Sequence, residues 1–256
     1  MCRLLGFWSK TPRMFPDVMG SHWENFVELS RNHADGWGIS WIDEVGQIRV
    51  VKEARAAFQS EYFRQTIHTI CTKAALLHFR WASPGLDTRL ANTHPFMSAD
   101  GAVAFMHNGA IDPVERLWSA VPSGVGLRQN RGQTDSEAYF ELWEDRVHGG
   151  GEPVQAIREV IRTLRSAPYH YTSLNAMILH PQTSYVVAEY QPTAPLALEN
   201  PEYYQLYWKK SPDVLTVASS LWDIPTSWQR LPNHAVLTIG PMLDATDEIS
   251  RELLPI

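Results

Sequence analysis

The chain has 256 residues, of which 44% are hydrophobic and 20% charged, with a formal net charge of −6. This is the composition of a soluble globular protein with a sizeable core; it excludes the basic face of a nucleic-acid binder. No apolar run reaches the ~18–20 residues of a membrane helix.

In chain order, residues 2–8 read as a short strand. Residues 17–31 read as a helix with Val18, Phe26, Val27 and Leu29 as apolar positions. Strands are expected over 36–42 and 47–51, separated by a turn near 44–46. A helix is expected over 58–72, and buried strands over 74–81 and 102–107. Residues 112–115 look like the start of another helix. Thr134 and Glu137 have capping-box spacing and open a helix that runs to residue 147, with Tyr139, Phe140, Trp143 and Val147 on its apolar face. A second amphipathic helix spans 152–165. Further strands are expected at 173–179, 185–190, 203–207, 214–218 and 235–239. The glycine run at 149–151 and the proline-containing stretch 191–201 read as loops. Strands at both ends with helices between them place the chain in the α+β class, without a clean domain boundary.

Only two cysteines occur, Cys2 and Cys71. They provide no disulfide framework and suit a reducing compartment. The opening segment lacks a signal peptide and a myristoylation glycine, so a cytoplasmic location is expected. No HExxH, CxxC pair, phosphate loop or G-x-S-x-G elbow is present, which leaves metal, nucleotide and serine-elbow chemistry unsupported.

Cys2 carries the first chemical signal. Removal of Met1 leaves a thiol beside a free α-amine, whose reference pKa of ~7.7–8.0 makes it a base near neutrality. Nucleophile and base then share one residue. By itself, a cysteine in a first strand is more simply a small buried hydrophobe. Arg80, ending a buried strand, needs a partner, either an internal carboxylate or the carboxylate of a substrate. Asn108-Gly109 follows another buried strand, where the Asn side-chain N–H and the Gly backbone N–H can form an oxyanion hole. Asp135 sits in the first turn of a helix, where the dipole favours a carboxylate; it is a good helix start or an acid that binds an ammonium group. Arg80 and Asp135 together match the two charged ends of an α-amino acid.

Cys2, His78-Phe79-Arg80-Trp81-Ala82-Ser83, Asn92-Thr93-His94-Pro95-Phe96, His107-Asn108-Gly109-Ala110-Ile111 and Gln133-Thr134-Asp135-Ser136-Glu137 occur in one order. That order resembles the class II glutamine amidotransferases, most closely their stand-alone members, whose Asp-Gly-Trp-Gly-Ile segment is matched by residues 35–39. The likeness covers roughly the first 140 residues well and the rest in general layout. It implies a four-layer αββα N-terminal-nucleophile hydrolase fold, with two antiparallel sheets between helix layers, and a single domain over residues 1–256. It also implies that Cys2 attacks the γ-amide of glutamine, that Asn108 and Gly109 hold the oxyanion, and that Arg80 and Asp135 bind the α-carboxylate and α-amine. Trp81, Ser83 and Leu86 would belong to a mobile loop over the substrate. His94 is expected to line or support the site, and Asp35 to Gly38 to shape the pocket by close backbone approach.

The chain departs from some multidomain members at Ser83 and Pro84, where those have Thr and His. No cofactor is implied. The expected partners are glutamine or a γ-glutamyl amide, and a separate ammonia-accepting synthase chain, since the sequence lacks the synthase domain of the multidomain members; no nucleic acid or membrane is expected. Two alternatives follow. One is hydrolysis of a larger γ-glutamyl amide, with Trp208, Trp222 and Trp228 available to line a wider pocket. The other is a non-catalytic binding or regulatory subunit that retains Met1.

Overall fold

The computed structural model describes residues 2–83, 85–122, 132–219 and 227–240, together with the backbone of 249–253. The chain opens with β1 (Arg3–Arg13), both of whose faces are buried. Leu4 and Trp8 point to one side and Leu5 and Phe7 to the other, each into a separate apolar cluster. A strand buried on both faces reads as a continuous apolar run and not as an alternation.

The short helices α1 (Phe15–Met19) and α2 (Trp23–Glu28) follow. One helix was expected over 17–31. Gly20 interrupts it at φ +55°, a backbone conformation that glycine adopts readily. β2 (Trp37–Ile42) and β3 (Ile48–Glu53) pair across a turn at Gly46, as the pattern indicated. α3 (Glu61–Ile67) is shorter than expected. Ser60 caps its start by accepting from Phe63 N, and Thr72 already belongs to β4 (Thr72–Phe79).

β5 (Phe96–Met97), β6 (Ala104–Asn108) and β7 (Ile111–Asp112) lead into α4 (Val114–Ala120). In α5 (Asp135–His148), Thr134 accepts from Glu137 N, and residues 135–144 are all buried, including Glu137, Glu141 and Glu144. The apolar face read from the sequence therefore understates how deeply this helix is enclosed. α6 (Pro153–Leu164) is capped by Glu152.

The remaining elements are β8 (His170–Tyr171), β9 (Asn175–Leu179), β10 (Ser184–Ala188), α7 (Pro195–Glu199), β11 (Tyr207–Lys210), β12 (Val214–Ala218), β13 (Gln229–Arg230), β14 (Ala235–Ile239) and β15 (Ile249–Leu253). α7 lies inside the stretch expected to be loop. The strand expected at 203–207 begins only at Tyr207, because Tyr203 and Gln205 are tied into turns through Asn200 O and Glu202 O.

One large sheet has the order β13-β11-β12-β1-β4-β2-β3 and a second β15-β14-β10-β9-β6-β5, β7 and β8 form a separate two-stranded sheet, and every pair is antiparallel. Leu4, Leu76, Met106, Met177 and Val217 fill the space between the sheets. α1, α2 and α3 pack on the outside of the first sheet through Phe15, Phe26 and Phe63. α4, α5 and α6 cover the second through Leu117, Phe140 and Val160. The result is the four-layer αββα arrangement. No helix among the described residues is long and apolar enough to cross a membrane.

Candidate active site

A cleft of about 840 Å³ opens at one end of the sandwich, walled by Trp81, Ser83, Ile111, Asp112, Asp135 and Leu196 among others. A second cavity, of about 320 Å³ beside Trp143 and His180, contains none of the candidate site residues.

Cys2 enters β1 next to the cleft, 7% exposed, with Sγ 3.7 Å from the carbonyl oxygen of Trp81. Burial pushes its thiol up from the usual range, and the nearby Arg80 charge opposes the shift in part. A thiol in this setting is a poor nucleophile until a base takes its proton. Met1 lies outside the described residues.

Arg80 follows β4 and is only 2% exposed. Nη1 reaches the backbone oxygens of Asp35 and Asp87 at 3.4 Å each, long contacts for hydrogen bonds. Nη2 is buried without a partner, and no carboxylate forms an ion pair with Arg80 among the described residues. Burial lowers the Arg80 pKa, while Cys2, Asp35 and Asp135 pull it back. A buried cation that no carboxylate touches is expensive.

Asp135 opens α5 and is 6% exposed. Oδ2 accepts from Ile111 N at 2.7 Å and Oδ1 from Ser136 N at 2.8 Å. Burial raises its pKa against these bonds. A carboxylate has about four acceptor positions, so two backbone donors leave room for an incoming cation. Cys2, Arg80 and Asp135 lie close enough to feel one another's charge.

Asn108 ends β6, fully buried, and neither Oδ1 nor Nδ2 has a partner. The preceding residue fixes this strand end. His107 Nε2 is 2.9 Å from Ser173 O, which can only accept, so Nε2 carries the proton. His107 Nδ1 then accepts from Ser136 Oγ at 2.9 Å, which ties β6 to the start of α5. Gly109 is a steric necessity: a Cβ there would lie 1.7 Å from Ser173 O. Its backbone therefore passes where no side chain fits.

The segment after Arg80 is anchored by Asp35, whose Oδ2 accepts from Ala82 N at 2.8 Å. Trp81 is 44% exposed on the cleft wall, with His33 edge-on to its ring. Ser83 also lines the cleft, and Leu86 N closes a turn onto Ser83 O; Pro84 lies outside the described residues. Gly38 allows a close approach of a different kind, since a Cβ there would sit 2.1 Å from His94 O. His94 is not a cleft-lining residue. It is buried, its ring 4.1 Å from that of His78, with both nitrogens unpartnered. Lys52 holds the same segment by donating to Thr93 O and Pro95 O, and burial lowers its pKa to about 8.

Trp81, Ser83 and Asp135 thus line the cleft, Cys2 and Arg80 lie within electrostatic reach of Asp135, Asn108 and Gly109 directly precede the cleft-lining Ala110, and His94 is buried within reach of the Arg80 charge. Of the three tryptophans suggested for a wider pocket, Trp208 and Trp228 pack in or against core clusters, and Trp222 lies outside the described residues. Cys71 is exposed after α3. Sequence reasoning missed Arg3, Lys52 and the Ser136–His107–Ser173 chain. Arg3 and Lys52 could have been flagged as charges inside apolar runs, but their partners lie far away in sequence.

The family model described as glutamine amidotransferases class-II matches residues 1–177. Glutamine–fructose-6-phosphate aminotransferase (isomerizing) of Bacillus subtilis strain 168 is 33% identical over 134 residues, 52% of this chain and 21% of that one. The corresponding protein of Geobacillus kaustophilus is 26% identical over 167 residues, 65% of this chain and 26% of that one. The chain therefore spans about a fifth to a quarter of the length of these curated relatives. Among solved structures, a glutamine aminotransferase class-II domain protein from Silicibacter pomeroyi matches over 100% of both chains, with a TM-score of 0.65 and 20% identity. The glutamine phosphoribosylpyrophosphate amidotransferase of B. subtilis matches over 100% of this chain and 50% of that one, with a TM-score of 0.69 and 17% identity. At these identities the structural likeness is a likeness of fold.

Proposed function

Since the chain belongs to the class II glutamine amidotransferases and has their N-terminal-nucleophile fold, we propose that it hydrolyses the γ-amide of glutamine through a thioester on Cys2. Residues 1–256 act as one glutaminase domain in this reading. The α-amine of Cys2, freed by loss of Met1, takes the thiol proton, and the thiolate attacks the γ-carbonyl. Asn108 Nδ2 and the Gly109 N–H receive the oxyanion. Ammonia leaves with the proton returned from the α-amine, and water then cleaves the γ-glutamyl thioester to glutamate. Arg80 holds the α-carboxylate and Asp135 the α-ammonium. Trp81 and Ser83 cover the substrate and exclude water, with His94 supporting the site from beneath. Such chemistry suits the reducing cytoplasm. The ammonia would pass to a synthase on another chain.

The observation that carries this reading is the amide of Asn108, buried at a strand end with both polar atoms free directly before Gly109. Leaving such a group unsatisfied costs ~1–3 kcal/mol, which a substrate oxyanion would offset.

The test is intact mass after incubation with 6-diazo-5-oxonorleucine. Loss of Met1 with one adduct, absent in Cys2→Ala, is expected. Retained Met1 with no Cys2-dependent adduct favours the non-catalytic binding subunit.

The size of the cleft favours a second reading of the leaving group. At about 840 Å³ it falls within the ~300–1,000 Å³ of pockets that hold drug-sized ligands, more than glutamine fills. The amine of a larger γ-glutamyl amide would occupy the part of the cleft that the glutamyl group leaves free. Higher kcat/KM for bulky γ-glutamyl amides than for glutamine would establish that preference; the reverse order would return the reading to glutamine.

A further inference from the structure

Arg3 stands directly after the nucleophile and is buried, 6% exposed. Nη1 donates to the carbonyl oxygen of Cys2 at 3.0 Å, and the guanidinium carbon lies 4.4 Å from the centroid of the Tyr203 ring. Nε is buried without a partner. Among the described residues the titratable groups acting on the guanidinium are Tyr203, which also hydrogen-bonds it, Tyr204 and Cys2, with no carboxylate among them. Burial raises both tyrosine pKa values, so neither phenol supplies a counter-charge near neutrality. Among the described residues the guanidinium therefore has no carboxylate partner, and it lies against the backbone of the nucleophile, where burying an unpaired charge is costly.

We propose that Arg3 is a positioning residue that orients Cys2 through its carbonyl and, by its charge, keeps the Cys2 α-amine in the neutral, proton-accepting form. This rests on the reading of Cys2 as its own base. In such a residue the thiol and the amine hang from one Cα, and the carbonyl is the remaining backbone handle. Holding that oxygen limits rotation of the amine relative to the thiol. Bond lengths place the Cys2 nitrogen no more than about 3.6 Å from its own carbonyl oxygen, so the amine lies within about 6.6 Å of Nη1. At that range in a desolvated setting a like charge lowers an amine pKa. The other charges facing Cys2 are Arg80, which acts in the same direction, and Asp135, which opposes it. Tyr203 also ties Arg3 to the cleft, because it packs in the same apolar cluster as the cleft-lining Leu196.

The experiment is the pH profile of kcat/KM for glutamine in the native enzyme, Arg3→Gln and Arg3→Lys. Arg3→Gln retains a donor and removes the charge. Its acid limb is expected to move up by about one pH unit, with a fall in kcat and KM within about twofold. Arg3→Lys keeps the charge, and its acid limb is expected to stay with the native one. An acid limb unmoved in Arg3→Gln, an equal shift in Arg3→Lys, or a change in KM alone overturns the proposal. If thermal melts show Arg3→Gln unfolded, Arg3→Met, which keeps the length of the stem and removes the charge, must shift the limb upward; no shift overturns the proposal equally. A native enzyme that releases no Cys2-dependent glutamate overturns the underlying reading instead, an outcome visible before any variant is compared.

Discussion

Asn108 and Asn175 face each other across β6 and β9, and the two buried amides are used in opposite ways. Asn175 is fully engaged: Nδ2 donates to Tyr204 O at 2.6 Å, and Oδ1 accepts from Glu189 N at 2.9 Å. Asn108 engages nothing. Replacing each by alanine should therefore separate catalysis from stability. Asn108→Ala is expected to lower kcat by ~10²–10³ with little change in a urea midpoint. Asn175→Ala orphans two buried backbone groups and is expected to lose roughly 2–5 kcal/mol of stability. Equal effects of both on stability, with kcat intact in Asn108→Ala, would remove the oxyanion assignment.

Arg80 offers a flat fork with one nitrogen unclaimed, and a lysine cannot reproduce that geometry. Arg80→Lys is expected to raise KM for glutamine by roughly 10–100-fold, about 1.4–2.8 kcal/mol of lost binding. Glutamine titrations of initial rate would show it. A KM unchanged in this variant would mean that the α-carboxylate is held elsewhere.

Acid should destabilise the fold through its buried histidines. Burial lowers the His78 pKa to about 3, and lowers those of His94 and His107 as well. The unfolded chain protonates these rings near the ordinary ~6.5. Below that pH the unfolded state binds more protons than the folded one, so the contribution is complete above ~6.5 and is lost as pH falls toward the depressed values. Each neutral histidine adds a slope of up to ~1.4 kcal/mol per pH unit. Urea melts at pH 7.5 and 5.0 should show the loss. His94→Phe, which gives up no hydrogen bond, should reduce it by about one histidine's share. An identical pH slope in the variant would show that His94 does not contribute.

At Gly38 a methyl group would have to occupy space 2.1 Å from the carbonyl oxygen of His94. Gly38→Ala is expected to push the 93–95 segment away from β2 and to lose roughly 1–3 kcal/mol, as overpacked cores do. A chemical denaturation curve superimposing on the native one would show that the segment gives way freely.

What could be read from the sequence follows the range of the interactions. The ends of β4 and β6 and the start of α5 are marked by neighbouring residues, so Arg80, Asn108 and Asp135 could be singled out from local pattern alone. Gly20 could have been read as a break, but the apolar positions on either side keep helical spacing, and periodicity concealed it. Residues 203–206 read as strand because Tyr203, Tyr204 and Tyr207 have strand-like composition, whereas their burial comes from packing in separate clusters. Lys52 bonding to Thr93, and Arg3 lying on Tyr203, are contacts across 41 and 200 residues that no local window contains. The burial of Glu137, Glu141 and Glu144 is likewise a product of enclosure by several elements, invisible to a two-faced reading of α5.

Cys2 leads into the seven-stranded sheet, whereas Asn108 closes a strand of the six-stranded one. The spacing of the two is thus governed by the thickness of the apolar filling, in which Leu4, Leu76, Met106 and Met177 meet. This makes the filling a spacer as well as a source of cohesion. Methionine is an adaptable part of such a spacer, with three rotatable bonds. A close-packed interior passes the strain of a volume change to its surroundings. Selection on this lineage could therefore tune reaction rate from positions that never meet the substrate, by altering the gauge of the gap between two sheets.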